Sequence, residues 1–153
     1  MSGGGRGAGV HGHARSRARR SAVQAYYQWQ MTRKPMDEVI SEFESERREL
    51  HKADVDYFRT LLRGMAANAE AMDAELEPLL DRPVRELDPV ERAVLHLGAY
   101  ELLHCPQTPW RVVINEAVDL AKMFGAEQSH KYINGVLDRL ARRARAPEIS
   151  ATP

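Results

Sequence analysis

The residues best suited to chemistry lie near the start of the chain, where arginines recur without acidic neighbours. Residues 1–20 carry a local charge of +5 and contain no aspartate or glutamate; the arginines are Arg6, Arg15, Arg17, Arg19 and Arg20. A guanidinium offers a planar fork to phosphate and can stack on bases, and each neutralised phosphate releases condensed counterions. The run suits a nucleic-acid backbone, and the alternative interpretation is a solvated tail that only aids solubility.

A second polar set lies near the C-terminus. Ser129, His130 and Lys131 carry groups that can donate to a phosphate at a helix N-terminus, and Tyr132 offers a ring on which a base could stack. Asn115 and Glu116 lie among apolar residues, which favours a partly buried polar pair with satisfied hydrogen bonds. These residues therefore extend the nucleic-acid hypothesis to a second part of the chain.

Catalytic and metal-binding patterns are missing from the sequence. No pair among His96, His104 and His130 has the spacing of a zinc site. Cys105 is the single cysteine, which excludes an intramolecular disulfide and fits a reducing cytoplasm. There is no phosphate-binding glycine loop or nucleophile elbow. We expect no enzymatic activity, no metal and no cofactor.

Membrane insertion and secretion are also disfavoured. The longest nearly apolar stretches, 93–103 and 112–121, are interrupted by polar residues and are too short to cross about 30 Å of hydrocarbon. The basic N-terminal segment has no apolar region behind it, so it does not resemble a secretory signal. The formal net charge of the 153 residues is zero, because the remainder of the chain carries −5 against the +5 of residues 1–20.

The spacing of apolar residues predicts an all-α fold. Stripes with intervals of three, four and seven residues indicate about seven helices from Ser16 onward, the first of them with the stripe Val23, Tyr26, Tyr27 and Met31. The segment 81–87, which contains Pro83, predicts a join between two small helical-bundle subdomains at about 15–81 and 88–146. We expect residues 1–14, which are rich in glycine, to be a flexible tail and residues 147–153 to be disordered.

Local signals place several helix ends. Asp54, Asn68 and Asp88 are predicted N-caps, and Thr108 with Pro109 predicts the start of the sixth helix. Gly125 is predicted to end that helix in a left-handed conformation. We keep the seventh helix continuous through Asn134 and Gly135 and expect Gly135 to permit close helix packing.

Several segments together resemble the NusB family of bacterial transcription antitermination factors. They are the arginine-rich start, AVQAYYQWQ (22–30), DYFRTLLRG (56–64), VERAVLHLGAYELL (90–103) and VINEAVDLAKMFGAEQSHKYINGVLD (113–138). The resemblance covers about residues 15–140. It implies a single NusB-like RNA-binding domain with an all-α fold of two helical subdomains.

The resemblance also implies a non-enzymatic function. Such a factor pairs with NusE, a small-subunit ribosomal protein, binds the boxA element of nascent ribosomal RNA leaders, and so connects NusE to RNA polymerase and promotes processive elongation. By motif, the expected RNA-binding residues are Arg15, Arg17, Arg19, Arg20, Gln24, Tyr27, Lys131 and Tyr132. Tyr27 and Glu91 are expected on the NusE-facing side.

Departures and rival interpretations accompany the resemblance. Ser16 interrupts a run of arginines that is denser in some relatives, Arg20 stands where an acid can occur, and Gln128 replaces an acidic residue near the RNA surface. The rival from another class is a helical protein-interaction module without an RNA role. A helper domain for an RNA methyltransferase is a further alternative, although the chain has no cofactor-binding fingerprint. The sequence leaves open whether the chain is a monomer or a homodimer.

Overall fold

The computed structural model describes residues 2–151, with side chains from residue 12 onward. This part of the chain contains eight α-helices, three short 3₁₀ helices and no strand, which confirms the all-α prediction with one helix more than expected. The α-helices are α1 Ser2–Thr32, α2 Met36–Glu46, α3 Val55–Ala67, α4 Ala69–Leu76, α5 Pro89–His104, α6 Trp110–Phe124, α7 Ser129–Ala144 and α8 Ala146–Ala151. The 3₁₀ helices are Arg48–Lys52, Glu77–Leu79 and Val84–Glu86.

The chain divides into two compact units, residues 1–66 and residues 67–153. This boundary precedes α4, whereas the sequence placed the join at 81–87. The difference has a physical cause, because α4 buries Met72 and Leu76 and packs against α5 within the second unit. Pro83 and its neighbours therefore form a connection inside that unit.

The first unit has a core made from one face each of α1, α2 and α3. On α1 the buried apolar residues are small or aromatic, and the Phe43 and Phe58 rings of α2 and α3 lie 6.1 Å apart between centroids. The buried apolar stripe of α1 consists of Ala18, Ala22, Val23, Ala25 and Tyr26. Tyr27 and Met31, which the sequence placed in the apolar stripe, are instead 39% and 57% exposed. They lie one helical turn apart, away from the buried stripe.

The second unit is built around α5, which is buried from Ala93 to Ala99. Gly98 is the point of closest approach, because a Cβ at this position would lie 2.5 Å from Cδ1 of the fully buried Leu137 on α7. Gly135, for which the sequence predicted this role, does not have it: a Cβ there would meet only Arg139 Nη1, at 3.8 Å. Helix α7 does continue through Asn134 and Gly135, as predicted.

Both ends of the helical part differ from expectation. The backbone is helical from Ser2 rather than Ser16. The flexibility of 1–14 stays a prediction. At the other end, residues 146–151 form α8 instead of a disordered tail. Glu148 holds this helix, accepting from the backbone N–H of Trp110 at 2.9 Å and from Arg145 Nη1 at 2.6 Å. Residues 152 and 153 lie outside the described part.

The predicted caps fare differently. Asp54 and Asp88 accept from backbone N–H groups of the helices that follow them, at 2.9 Å from Tyr57 and 2.7 Å from Val90. Asn68 precedes α4 without a side-chain cap, and Pro109 rather than Thr108 precedes α6. The Thr108 hydroxyl is buried without a hydrogen-bond partner among the described residues.

The end of α6 also differs from prediction. Gly125 is extended, with φ −87° and ψ 171°, rather than left-handed. The left-handed residue is Gln128, with φ 73°, immediately before α7. The chain changes direction at Gln128, three residues after Gly125, because α7 begins at the next residue, Ser129.

Arg145, the residue after α7, is buried and directs its guanidinium at the end of α5. Its donors reach the carbonyl oxygens of Leu102 at 2.7 Å, Glu101 and Thr108 at 3.0 Å, and Cys105 at 2.9 Å. The carbonyl of Leu102 lacks its usual helical partner because position 106 is proline, which has no N–H. Arg145 supplies the missing donor.

A buried polar group joins α4 to α5. Asp73 accepts from Arg92 Nη2 at 2.7 Å and pairs with Nε2 of His96 at 2.6 Å. Burial lowers the pKa of His96, which favours the neutral imidazole and Nε2–H donation to the carboxylate. Burial opposes ionisation of Asp73, but the hydrogen bonds from His96 and Arg92 outweigh it and hold the Asp73 pKa below its usual value. His96 is thus a core histidine with a partner.

Candidate nucleic-acid interface

One face of α1 carries four of the residues that the sequence associated with RNA. Arg17, Arg20, Gln24 and Tyr27 follow one another at intervals of three or four residues, so they lie on the same side of the helix. The two arginines and Tyr27 are exposed, and Gln24 is half-buried with its amide nitrogen 3.4 Å from the carbonyl oxygen of Arg20. Helix α1 contains no acidic residue. We call these four residues the α1 face.

The other two arginines of the run turn toward the core of the first unit. The Arg15 guanidinium lies 4.5 Å from the centroid of the Tyr57 ring, and its Nε is 3.7 Å from Asp54 Oδ2. Arg19 lies 5.5 Å from the same ring and is only 3% exposed. Arg19 falls on the buried stripe with Ala22 and Tyr26. Its role as an RNA contact stays a prediction. Arg15 is partly exposed, and its guanidinium contacts the Tyr57 ring.

A cleft of about 260 Å³ adjoins the α1 face within the first unit. One wall is formed by the α1 residues Arg17, Arg20, Ser21 and Gln24. The other wall is formed by Glu49 and Lys52 of the 3₁₀ helix Arg48–Lys52. No sequence motif marks these last two residues, because the fold brings the 3₁₀ helix Arg48–Lys52 beside α1. We call this feature the α1 cleft.

The second unit holds the other two expected RNA contacts, Lys131 and Tyr132, in the first turn of α7. Lys131 is exposed. Tyr132 is half-buried, its hydroxyl accepts from the backbone N–H of Asp81 at 3.3 Å, and the Arg82 guanidinium lies 4.5 Å from its ring centroid. Tyr132 thus already carries a cation over its ring, and no motif in the sequence marks Arg82 as its neighbour.

Hydrogen bonds fix the charge of this cluster. Arg82 donates to both carboxylate oxygens of Asp81, at 2.7 and 3.2 Å, and these bonds hold the pKa of the exposed Asp81 carboxyl below its usual value. Burial raises the pKa of the Tyr132 phenol. Around neutral pH the cluster consists of an ion pair beside a neutral phenol, and an approaching phosphate would compete with Asp81 for Arg82.

Glu91, expected on the partner side, has an internal contact. Its Oε2 accepts from Ser129 Oγ at 2.9 Å and so ties the first turn of α5 to the first turn of α7. The side chain is half-buried. Tyr27, the other expected partner contact, belongs to the α1 face and is described there.

The described residues contain no cluster of three or more histidine, cysteine, aspartate or glutamate side chains suited to a metal ion. Cys105 is buried and takes part in no disulfide. No helix in the described part of the chain combines the length and apolar character needed to cross a bilayer.

The helical fold and the basic, aromatic α1 face define a class of small all-α proteins with an exposed cationic surface. The model of the NusB family matches residues 16–142. A relative from Marinomonas sp. (strain MWYL1), the transcription antitermination protein NusB, is 51% identical over 138 residues, which is 90% of this chain and 79% of the relative. The chain belongs to the NusB family.

Solved structures agree with that assignment. NusB from T. maritima superposes with a TM-score of 0.77 and 29% identity, covering 88% of this chain and 96% of the other. A crystal structure of the antitermination factors NusB and NusE in complex with dsRNA superposes with a TM-score of 0.70 and 26% identity, covering 84% and 96%. These neighbours share the all-α architecture described above.

Proposed function

We propose that this chain is a transcription antitermination factor that binds boxA RNA of nascent ribosomal RNA leaders together with NusE. In this role it promotes processive elongation by RNA polymerase. The observation that carries the proposal is the α1 face, where exposed guanidinium groups and an exposed phenol follow one another on a helix without any carboxylate. The dsRNA and NusE in the solved complex of relatives support the same choice of partners.

The α1 face acts through charge and stacking. Arg17 and Arg20 neutralise backbone phosphates, while Gln24 and Tyr27 offer a hydrogen-bonding amide and a ring to bases. Phosphate contacts provide affinity and orientation, and contacts to base edges provide sequence preference. Lys131 and Tyr132, with Arg82 over the ring, add a second RNA-contacting group in the second unit.

Partner contacts complete the proposal. NusE is expected to contact Tyr27 and the region of Glu91, and RNA polymerase is reached through NusE. The −5 charge of residues 21–153 favours association with a basic ribosomal protein. We place the factor in the cytoplasm, without a catalytic activity of its own, and a homodimer remains a competing assembly of the free protein.

Binding of labelled RNA tests this function. Fluorescence anisotropy with boxA RNA and with a scrambled RNA of equal length, each with and without NusE, should give the tightest complex for boxA RNA with NusE. Equal affinity for both RNAs in all four mixtures would contradict the proposal. Pull-down with and without ribonuclease adds a second readout: capture of the ribosomal protein with no leader RNA would favour a simple protein adaptor.

Matched variants locate the surface. Arg17→Ala with Arg20→Ala removes two cations from the α1 face, and Arg142→Ala with Arg143→Ala removes two exposed arginines from α7 as the control. If each α1 arginine contacts one phosphate of single-stranded RNA, the slope of log K against log salt should become shallower by about 1.4 in the first variant alone. Equal losses in both variants would indicate nonspecific charge attraction.

A further inference from the structure

The α1 cleft contains a cation, Lys52, that neither the arginine run nor the family resemblance singles out. Lys52 ends the 3₁₀ helix Arg48–Lys52 and shares the cleft with Arg17 and Arg20 of α1. The cleft lining contains three cations and one carboxylate, Glu49. This is a surplus of positive charge in a concave surface, where field lines concentrate and attract anions.

The 3₁₀ helix that presents Lys52 is anchored to the first unit. Leu50, in its middle, is buried, and the backbone N–H of Ala53 closes it onto the carbonyl of Leu50 at 3.1 Å. Two residues after Lys52, the backbone N–H of Asp54 donates to the carbonyl of Ala14 on α1 at 3.0 Å. The backbone of Lys52 is therefore fixed relative to α1, so less conformational entropy is lost when a ligand binds.

The size and continuity of the cleft indicate its occupant. A volume of about 260 Å³ is below that of pockets for drug-sized ligands and suits a single phosphate with its ribose. Arg17, Arg20 and Gln24 belong both to the cleft and to the α1 face, so a strand that follows the face passes the cleft. Ser21 and Gln24 supply neutral hydrogen-bonding groups beside the cations.

We propose that the α1 cleft seats one phosphodiester of the bound single-stranded RNA and that Lys52 is a direct phosphate contact. The inference rests on the proposed RNA-binding function and adds a residue from outside α1. Arg20 and Lys52 approach the phosphate from the two walls. Glu49 opposes it, since its carboxylate lies in the same lining and its nearest cation, Arg47 Nη1, is 3.9 Å away at the surface.

Three single variants of the full chain test the proposal. Lys52→Gln removes the phosphate contact, Glu49→Gln removes the opposing charge, and Lys122→Gln removes an exposed lysine of α6 as the matched control. Anisotropy titrations with the boxA RNA and with a scrambled RNA run from 50 to 200 mM salt. Thermal melting by circular dichroism verifies that each variant is folded.

The expected signature is specific to a phosphate contact. Lys52→Gln should lower the affinity for both RNAs about three- to tenfold at 50 mM salt. It should also make the slope of log K against log salt shallower by about 0.7. The ratio of wild-type to variant affinity should then shrink by about 2.6-fold between 50 and 200 mM. Glu49→Gln should tighten binding, and Lys122→Gln should match the wild type.

The outcomes separate this inference from the function on which it rests. If the wild type binds RNA and Lys52→Gln behaves like Lys122→Gln, the cleft is not a phosphate site and the proposed function is unaffected. If the wild type binds no RNA, both proposals are overturned. If Lys52→Gln weakens capture of the NusE protein while its RNA affinity is unchanged, the cleft serves a protein carboxylate and the RNA assignment is wrong.

Discussion

Replacing Arg145 by alanine should destabilise the second unit more than the same change at any arginine of α7. The Arg145 guanidinium has five N–H donors, and the five bonds found for it use Nε once and each Nη twice. Four of the acceptors are backbone carbonyls near the end of α5. The fifth is Glu148, which holds α8 in place.

The magnitude follows from which acceptors retain another donor. The carbonyls of Glu101 and Cys105 also accept from the backbone N–H groups of Cys105 and Thr108, whereas the Leu102 carbonyl faces Pro106. The Thr108 carbonyl likewise has no other donor among the described residues. A buried acceptor without a donor costs about 1–3 kcal/mol, so these two carbonyls lead us to expect that Arg145→Ala lowers the free energy of unfolding by about 2–6 kcal/mol.

Urea denaturation at pH 7 and thermal melting measure this loss. Arg143→Ala is the control, because its guanidinium is half-exposed and lies 3.9 Å from Glu75, so its loss should stay within about 0.5 kcal/mol. Should Arg145→Ala fail to fold, Arg145→Lys retains a charge but offers at most three donors, and it should show an intermediate loss. If Arg145→Ala is no less stable than Arg143→Ala, the capping argument is wrong.

Two glycine-to-alanine changes should alter the unfolding free energy in opposite directions, and two further predictions concern His96 and Arg19. Gly98→Ala should cost about 1–2 kcal/mol in unfolding free energy because the new methyl meets a buried leucine, whereas Gly135→Ala should add about 0.5–1 kcal/mol because only helix propensity changes; a stabilised Gly98→Ala variant would contradict the packing argument. The lowered pKa of His96 means that the unfolded chain takes up a proton below about pH 6.5 while the folded chain does not, so stability should fall as pH drops from 7 to 5.5. The drop should shrink in His96→Gln when urea titrations at the two pH values are compared. Arg19→Ala should lower the melting temperature while Arg17→Ala leaves it unchanged, as measured by circular dichroism; equal melting temperatures would mean that burial of Arg19 contributes no stability.

The helical architecture was predictable because its signals are local. Apolar residues at intervals of three and four, and the capping acids Asp54 and Asp88, act within a turn or two of the chain. Features that depend on tertiary contacts were not predictable: Gly98 and Gly135 are both helical glycines, and only the position of Leu137 distinguishes them. The membership of α4 in the second unit likewise depends on which surface covers its apolar stripe.

The candidate interface likewise contains residues that local signals could predict and residues that depend on tertiary contacts. Helical periodicity applied to the arginine run could have separated Arg17 and Arg20 from Arg15 and Arg19, since the apolar stripe of α1 identifies the buried side. Nothing local could have assigned Lys52 to the α1 cleft or Arg82 to the Tyr132 ring. Those pairings arise from the path of the chain between helices.

The Tyr57 ring, with two guanidinium groups beside it, has a consequence for mutational scanning. Replacing all arginines of residues 15–20 together would remove cations that pack against the core as well as cations that face the ligand. A binding assay alone could not distinguish the two losses. Natural variation at these positions is subject to two separate constraints, one from the fold of the first unit and one from its ligand. The number of arginines in residues 15–20 is therefore a poor measure of RNA affinity. The side of the helix on which each arginine lies is a better one.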